Sequence, residues 1–267
     1  MNTTVKKTDW DKDGLNGKVK SIREIPYYAE KKFGVNATYN IFDNKKWRNT
    51  LKKYDDRGNL TELHHYYSSG SLYSKWIYKY DDNGNLTKMT EYNSKNLVKS
   101  YETYKYNAKG NRVKDTVYAI DNLPYKCTYK YNSKGNRTEM KRYNPDGTLS
   151  RKETYIYDNS GNLTEQNWYS AKGNLQTKCT YKYDNRGRLA EWCEHKQSGK
   201  IRQKLTCEYD DRGNLAELKE YKQFGKTVVK RTYQYRLDDK GNWIEQTEYK
   251  DDEAETITER TIEYYDN

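Results

Sequence analysis

The sequence predicts an all-β protein: a single long antiparallel meander of about 26-residue β-hairpin repeats, curled into a spiral or rolled sheet. Three observations predict it. A tyrosine-anchored unit runs from Tyr54 to Tyr235 through Tyr80, Tyr106, Tyr131, Tyr157, Tyr183 and Tyr209, in steps of 26 residues with one of 25. Turn residues close both ends of each unit, and no helical crossover lies between the strands, so neighbouring strands run antiparallel. Repeats of this length bury their apolar faces against one another, which makes the array one body rather than many.

The turns come first. In Asn144-Pro145-Asp146-Gly147 and in Asp158-Asn159-Ser160-Gly161, the residue order suits a type I turn followed by a glycine in the left-handed region. Gly84, Gly110, Gly135, Gly161, Gly187 and Gly213 hold that position beside the repeating tyrosines. These glycines and Tyr80, Tyr106, Tyr131, Tyr157, Tyr183 and Tyr209 are the candidate structural residues. Closing the loop at Asp184 and Arg188 puts Tyr183 opposite Leu189, Tyr181 opposite Glu191 and Cys179 opposite Cys193. The same rule puts Tyr143 opposite Leu149, Cys127 opposite Lys141 and Cys207 opposite Glu217. Both kinds of Tyr/Leu pair, such as Tyr157 with Leu163 and Tyr169 with Leu175, are expected on one face as the core. The other face, with Lys178, Thr180, Lys182, Arg202, Lys204 and Thr206 and scattered Leu63, Met89, Trp192 and Leu218, is expected to meet water.

Taken in order, residues 1–14 form a polar N-terminal segment, neither a signal peptide nor a membrane span. The expected location is the cytoplasm, or the cell envelope or exterior if an export signal has been removed. Residues 15–267 are read as one repeat domain. Within it, 15–53 is an N-terminal cap, in which Gly17, Val19 and Tyr27 mark a degenerate half-unit and a hairpin surrounds Asp43-Asn44-Lys45-Lys46. Residues 54–234 are regular repeats, and 235–267 form a C-terminal cap whose acidic run Asp251-Asp252-Glu253 discourages edge pairing. No helix is expected. Only 33% of the residues are hydrophobic while 30 are tyrosine, so the core is thin and amphipathic. About 18 strands at roughly 4.8 Å each would make a strip long enough to curl.

The unit Tyr181-Lys182-Tyr183-Asp184-Asn185-Arg186-Gly187-Arg188-Leu189 resembles the YD repeat of the Rhs superfamily. It is also similar to the tyrosine-rich repeat proteins common in Bacteroidetes, which share the segment Gly-Lys-Val-Lys-Ser-Ile. The resemblance covers nearly the whole chain, about 15–265. In the Rhs family such repeats build a β-strip that spirals into a shell around a toxin, which implies a curled antiparallel strip. Most units here carry Asn where Rhs repeats have Arg, and no self-cleaving core segment or toxin domain is recognisable.

The sequence offers little catalytic chemistry. His64 and His65 are adjacent on a strand and point to opposite faces, and His195 stands where other units carry Tyr. Nucleophile, phosphate-loop and zinc-spacing motifs are missing from the sequence. Glu62, Glu165, Glu191 and Glu217 share one repeat phase; a catalytic carboxylate is needed once, whereas a partner for Lys or a Tyr hydroxyl is needed in every unit. The reading is therefore no enzyme, no cofactor and no metal. Cys179 and Cys193 are either a disulfide in an oxidising compartment or two buried thiols. The balance of 50 basic against 39 acidic residues gives +11 and favours acidic partners. Nucleic acid is an alternative that is not favoured, because tyrosines and lysines are expected on separate faces. The expected function is a non-catalytic scaffold binding a protein or glycan, at the bacterial envelope; the alternative is a cytoplasmic protein-binding module of the immunity or antitoxin type.

Overall fold

Each hairpin is closed by the same small set of groups. At Asp184, the backbone N–H donates to the Arg188 carbonyl (2.8 Å), and the Gly187 N–H donates back to the Asp184 carbonyl (3.0 Å). Gly187 sits at φ +76°, a conformation that a Cβ would strain. The Asp184 carboxylate then accepts from the N–H groups of Arg186 (3.0 Å) and Arg188 (2.8 Å). A turn lacking glycine recruits a substitute: Asn96, at φ +59°, closes the loop that begins at Asn93.

The computed structural model describes residues 8–29, 40–41, 49–120, 123–221 and 227–266. Among these, one helical turn precedes nineteen strands. They are α1 (Asp9–Lys12), β1 (Val19–Tyr28), β2 (Asn40–Ile41), β3 (Asn49–Tyr54), β4 (Leu60–Tyr66), β5 (Leu72–Tyr80), β6 (Leu86–Asn93), β7 (Val98–Tyr106), β8 (Arg112–Ala119), β9 (Tyr125–Tyr131), β10 (Arg137–Tyr143), β11 (Leu149–Tyr157), β12 (Leu163–Ser170), β13 (Leu175–Tyr183), β14 (Leu189–His195), β15 (Ile201–Tyr209), β16 (Leu215–Tyr221), β17 (Thr227–Leu237), β18 (Trp243–Lys250) and β19 (Glu253–Tyr264). All nineteen belong to one sheet. The strand pairs with a described register are antiparallel, and from β3 to β6 and β8 to β17 each strand pairs with its successor. The chain divides into two compact units, one of residues 1–101, 233–249 and 253–267, the other of residues 102–232 and 250–252.

In the first unit, β1 lies between β3 and β19, with Val19 opposite Tyr264, Ile22 opposite Ile262 on one side and Ile22 opposite Lys52 on the other. Strands from opposite ends of the sequence are thus neighbours, the connectivity of a rolled sheet rather than of an open strip. The final strand, expected as a guarded edge, is instead paired along its length. Val19, Ile22 and Tyr54 form the buried cluster beneath this seam, joined by Trp10, Leu15 and Leu60. The helical turn corrects the expectation of no helix. A Thr8/Asp11 capping box starts it, and it docks by Asp9 and Trp10 N–H groups on the Gly58 carbonyl and by the Trp10 indole on the Val19 carbonyl (2.8 Å). Most of the hairpin expected around Asp43-Asn44-Lys45-Lys46 lies outside the described residues.

The register holds a feature that turn chemistry alone does not show. Tyr183 pairs with Leu189, but the next pair is Lys182 with Glu191, leaving Ala190 without a partner. The same skip occurs at Thr61, Thr87 and Thr164, between Tyr54/Leu60 and Lys53/Glu62, Tyr80/Leu86 and Lys79/Lys88, and Tyr157/Leu163 and Ile156/Glu165. Each of these threonines turns its hydroxyl onto the carbonyl across the bulge: Thr61 on Lys53, Thr87 on Lys79 and Thr164 on Ile156, at 3.0–3.2 Å. The Asn85-Leu86-Thr87 triplet is thereby turn and bulge chemistry.

One extra residue exchanges faces for everything beyond it. Tyr181 therefore pairs with Trp192 rather than Glu191, Cys179 with Glu194 and Cys193 with Thr180, so Cys179 and Cys193 lie on opposite faces instead of opposing one another. All four cysteines are free thiols. Cys127 pairs with Arg142 in β10 and Cys207 with Leu218, one residue from the expected partners. Tyr157 and Tyr169, expected on one face, lie on opposite faces, because Tyr169 pairs with Lys152 and not with a neighbour of Tyr157's own face. In exchange, Trp192, Met89, Leu63 and Leu218 join the face of the anchoring tyrosines, as partners of Tyr181, Tyr78, Trp76 and Cys207. Cys127, Met140 and Tyr155 make the buried cluster of the second unit on that face, with Tyr129, Tyr157 and Leu163 against it.

Candidate functional site

The anchoring tyrosines tie one repeat to the previous one. The hydroxyls of Tyr80, Tyr183 and Tyr209 donate to the carbonyls of Leu60 (2.8 Å), Leu163 (3.0 Å) and Leu189 (3.0 Å), each 20 residues earlier. Tyr131 does the same to Arg112 (2.6 Å), 19 residues back across the shortened unit. Burial raises the pKa of Tyr183 and Tyr209, so these hydroxyls stay protonated and remain donors. Gly84, Gly110, Gly135, Gly161, Gly187 and Gly213 occupy the left-handed turn positions at φ +71° to +95°.

The opposite face of the second unit carries rows of charge. Glu191 is held by Lys182 (2.8 Å) and Lys204, Glu165 by Lys178 (2.5 Å), Glu217 by Lys219 and Lys230, and Glu139 by Lys130 (3.2 Å), Lys141 and Lys152. Hydrogen bonds from Lys182 and Lys204 hold the Glu191 carboxyl below its ordinary value. For Glu165, burial pushes upward, but the bonds from Lys178 and Asn167 outweigh it and leave the pKa lowered. Arg202, expected among the lysines, falls at a skipped position and pairs with Glu194.

On this same face lies the second tyrosine column. Lys126 pairs with Tyr143, Lys152 with Tyr169 and Lys204 with Tyr221, and each ammonium stands 5.6–5.9 Å from the centroid of its partner's ring. In the first unit Lys75 and Tyr92 repeat the arrangement at 5.1 Å. Cation–π attraction of this kind is worth about 0.5–1 kcal/mol at exposed sites. The expectation that tyrosines and lysines occupy separate faces is thus overturned for this column. The bulge is the cause, and the recurring Thr after Asn-Leu was its only trace in the sequence. His195 takes a tyrosine place in the column, opposite Lys178; its Nε2 lies 3.0 Å from the Thr180 hydroxyl and its Nδ1 3.3 Å from the Gly199 carbonyl. His64 bridges Glu62 (2.8 Å) and the Tyr66 hydroxyl (3.0 Å), and burial, opposed by Glu62, lowers its pKa.

The column opens into a cleft of about 650 Å³ in the second unit, where the repeat is shortened. Tyr118, Pro124, Lys126, Tyr143, Asn144 and Pro145 are among the residues that line it. Its position follows from register: Thr116 pairs with Lys126 and Lys126 with Tyr143, so β8, β9 and β10 each contribute one side chain to a single row. The next row holds Lys114, Thr128, Lys141 and Lys152, again consecutive partners. Tyr118 is 41% exposed, enough to present its ring to a ligand. A second cavity of about 510 Å³ in the first unit is lined by Lys20, Arg23, Lys53, Tyr54 and Glu263 among others. Among the described residues no cluster of His, Cys, Asp and Glu is placed to hold a metal, and no helix is long and apolar enough to cross a membrane.

Tyrosine-anchored hairpins joined unit to unit, with Asp and Gly at fixed turn positions, define a repetitive antiparallel β-protein of the YD-repeat class. The teneurin YD-shell family model matches residues 126–255, so this stretch carries YD repeats. Among solved structures, a porin-like protein from Bacteroides uniformis is 14% identical, over 93% of this chain and 99% of that one, with a TM-score of 0.47. A porin-like protein from Bacteroides vulgatus is similar over the same shares at 14% identity, with a TM-score of 0.39. The Photorhabdus luminescens Tc holotoxin pore is 10% identical over 79% of this chain and 19% of that one, with a TM-score of 0.22. No curated protein matches the chain.

Proposed function

We propose that the chain is a non-catalytic β-repeat scaffold that binds a protein or glycan partner along its lysine face. The observation that carries this reading is the pairing of lysine with an aromatic ring, strand against strand: tyrosine opposite Lys126, Lys152 and Lys204 and His195 opposite Lys178. Such a face offers many equivalent weak contacts and no unique reactive group. The recurring carboxylates fit the same reading. A general acid needs a raised pKa, whereas Glu62, Glu139, Glu165 and Glu191 are all lowered, burial being outweighed by lysine in the first three and two lysines holding Glu191.

The test is to change Lys130, Lys152, Lys178 and Lys204 to Gln together and probe the variant against arrays of purified glycans and peptides. Binding should fall in a salt-dependent manner while the melting temperature shifts only slightly. An alanine scan of the same face that finds one residue abolishing turnover or binding without loss of stability would refute the scaffold.

A further inference from the structure

We infer that the cavity at the seam of the first unit, where β1 runs between β3 and β19, binds a small phosphate monoester. The inference uses none of the residues on which the scaffold reading rests, so either stands without the other. Three observations lead to it.

The first is convergence. The cavity, about 510 Å³ in volume, has the size of a small-molecule pocket. Two cross-strand rows form its floor: Lys53, Ser21 and Glu263, then Leu51, Arg23 and Thr261. They lie on the side of β1 that faces away from the buried Ile22. Tyr265 walls one end, and its hydroxyl donates to the Tyr54 carbonyl at 2.6 Å. Strands from both ends of the chain thus supply one site, which exists only while the seam is closed.

The second is a bulge. Val19 pairs with Tyr264 and Ser21 with Glu263, so Lys20 is an extra residue without a partner across the ladder. In an unbroken strand, positions 20 and 23 would point to opposite faces. A bulge re-aims a side chain, and Lys20 lines the same cavity as Arg23. The irregularity brings a second cation to the site.

The third is the donor set. Lys53 is already shared with Glu62 at 3.0 Å, and Glu263 accepts from the Ser21 hydroxyl at 2.9 Å. Lys20 and Arg23 make no ion pair among the described residues; the Arg23 guanidinium rests over the Tyr66 ring at 5.6 Å. Two cations are therefore left for a ligand, and a phosphate monoester carries about −1.5 to −2 at neutral pH. Its three free oxygens can take the arginine fork, the ammonium and the Thr261 hydroxyl from different directions. A planar carboxylate has only two oxygens, which the fork alone fills.

The experiment titrates the full chain by calorimetry with glycerol 3-phosphate, malonate and glycerol, and tests capture by phosphatidic acid vesicles. The expected result is saturable binding of glycerol 3-phosphate, about tenfold or more tighter than malonate, with none of glycerol. Binding should weaken below about pH 6, where the phosphate loses its second charge. Lys20→Gln and Arg23→Gln should each cost about tenfold or more in affinity at an unchanged melting temperature, and Lys182→Gln, in the second unit, no more than about twofold. Because the ligand touches β1, β3 and β19 together, it should raise the melting temperature and slow amide exchange in those strands. No saturable binding of glycerol 3-phosphate, equal affinity for malonate, capture by the vesicles without binding of the soluble ester, or exchange slowed equally in β12 and β13 would overturn the site. Should Arg23→Gln fail to fold, Lys20→Gln, at an exposed bulge position, decides by itself.

Discussion

The hydroxyl of Tyr183 donates to the carbonyl oxygen of Leu163 at 3.0 Å, joining two turns of neighbouring repeats. Because Tyr209 makes the same bond to Leu189, each anchoring tyrosine has two structural tasks. Its ring packs within its own hairpin, and its oxygen fixes the previous one. Tyr183→Phe should separate them, costing about 0.5–1.5 kcal/mol for the lost hydrogen bond. Tyr183→Ala should cost more, by analogy with aromatic truncation up to about 3–5 kcal/mol. Urea unfolding of both variants checks the order: equal losses would show that the ring adds nothing beyond its hydroxyl, and no loss in Tyr183→Phe would show that the hydroxyl does nothing.

Gly58 should be intolerant of a side chain for two reasons at once. It sits at φ +81°, and a Cβ there would lie 2.6 Å from the Trp10 ring. Gly58→Ala should therefore destabilise by more than the roughly 1–2 kcal/mol of left-handed strain alone. Combining it with Trp10→Ala should recover the steric part, and a double-mutant cycle of melting curves measures that coupling. Strict additivity would mean that the indole moves aside freely.

Acid should loosen the lysine face. Lys182 and Lys204 hold the folded pKa of Glu191 below its ordinary 4.5, so the unfolded chain takes up the proton first as pH falls. The contribution is present above about pH 4.5 and is lost as pH drops through the lower, folded value. Glu191→Gln should flatten that part of the stability profile without altering the neutral-to-basic part. Denaturant midpoints taken from pH 7 to pH 3 give the comparison, and an unchanged slope would count against the ion pair.

No crosslink should form between Cys179 and Cys193, which sit on opposite faces of the sheet. Burial raises both thiol pKa values, so reaction with a thiol reagent should be slow in the folded protein and fast after denaturation. Mass spectrometry under non-reducing conditions should find four free thiols. A bond between these two would mean that the bulge at Ala190 is absent in solution.

The repeat length, the tyrosine and glycine positions, the antiparallel order and the loop-closing pairs such as Tyr183 with Leu189 were all determined by the sequence, because they depend on turn chemistry within a few residues. The tertiary structure decided what lies beyond each first pair. A hairpin loop specifies the pair next to it, but the skip at Ala190 or Thr164 depends on how each strand also meets its other neighbour. That single residue moved Tyr143, Tyr169 and Tyr221 to the lysine face and separated Cys179 from Cys193. The seam was equally hidden. Val19 opposite Tyr264 joins residues from opposite ends of the chain, and the N–H and C=O groups that pair there are offered alike by every strand, so no local signal distinguishes the true partner from the rest.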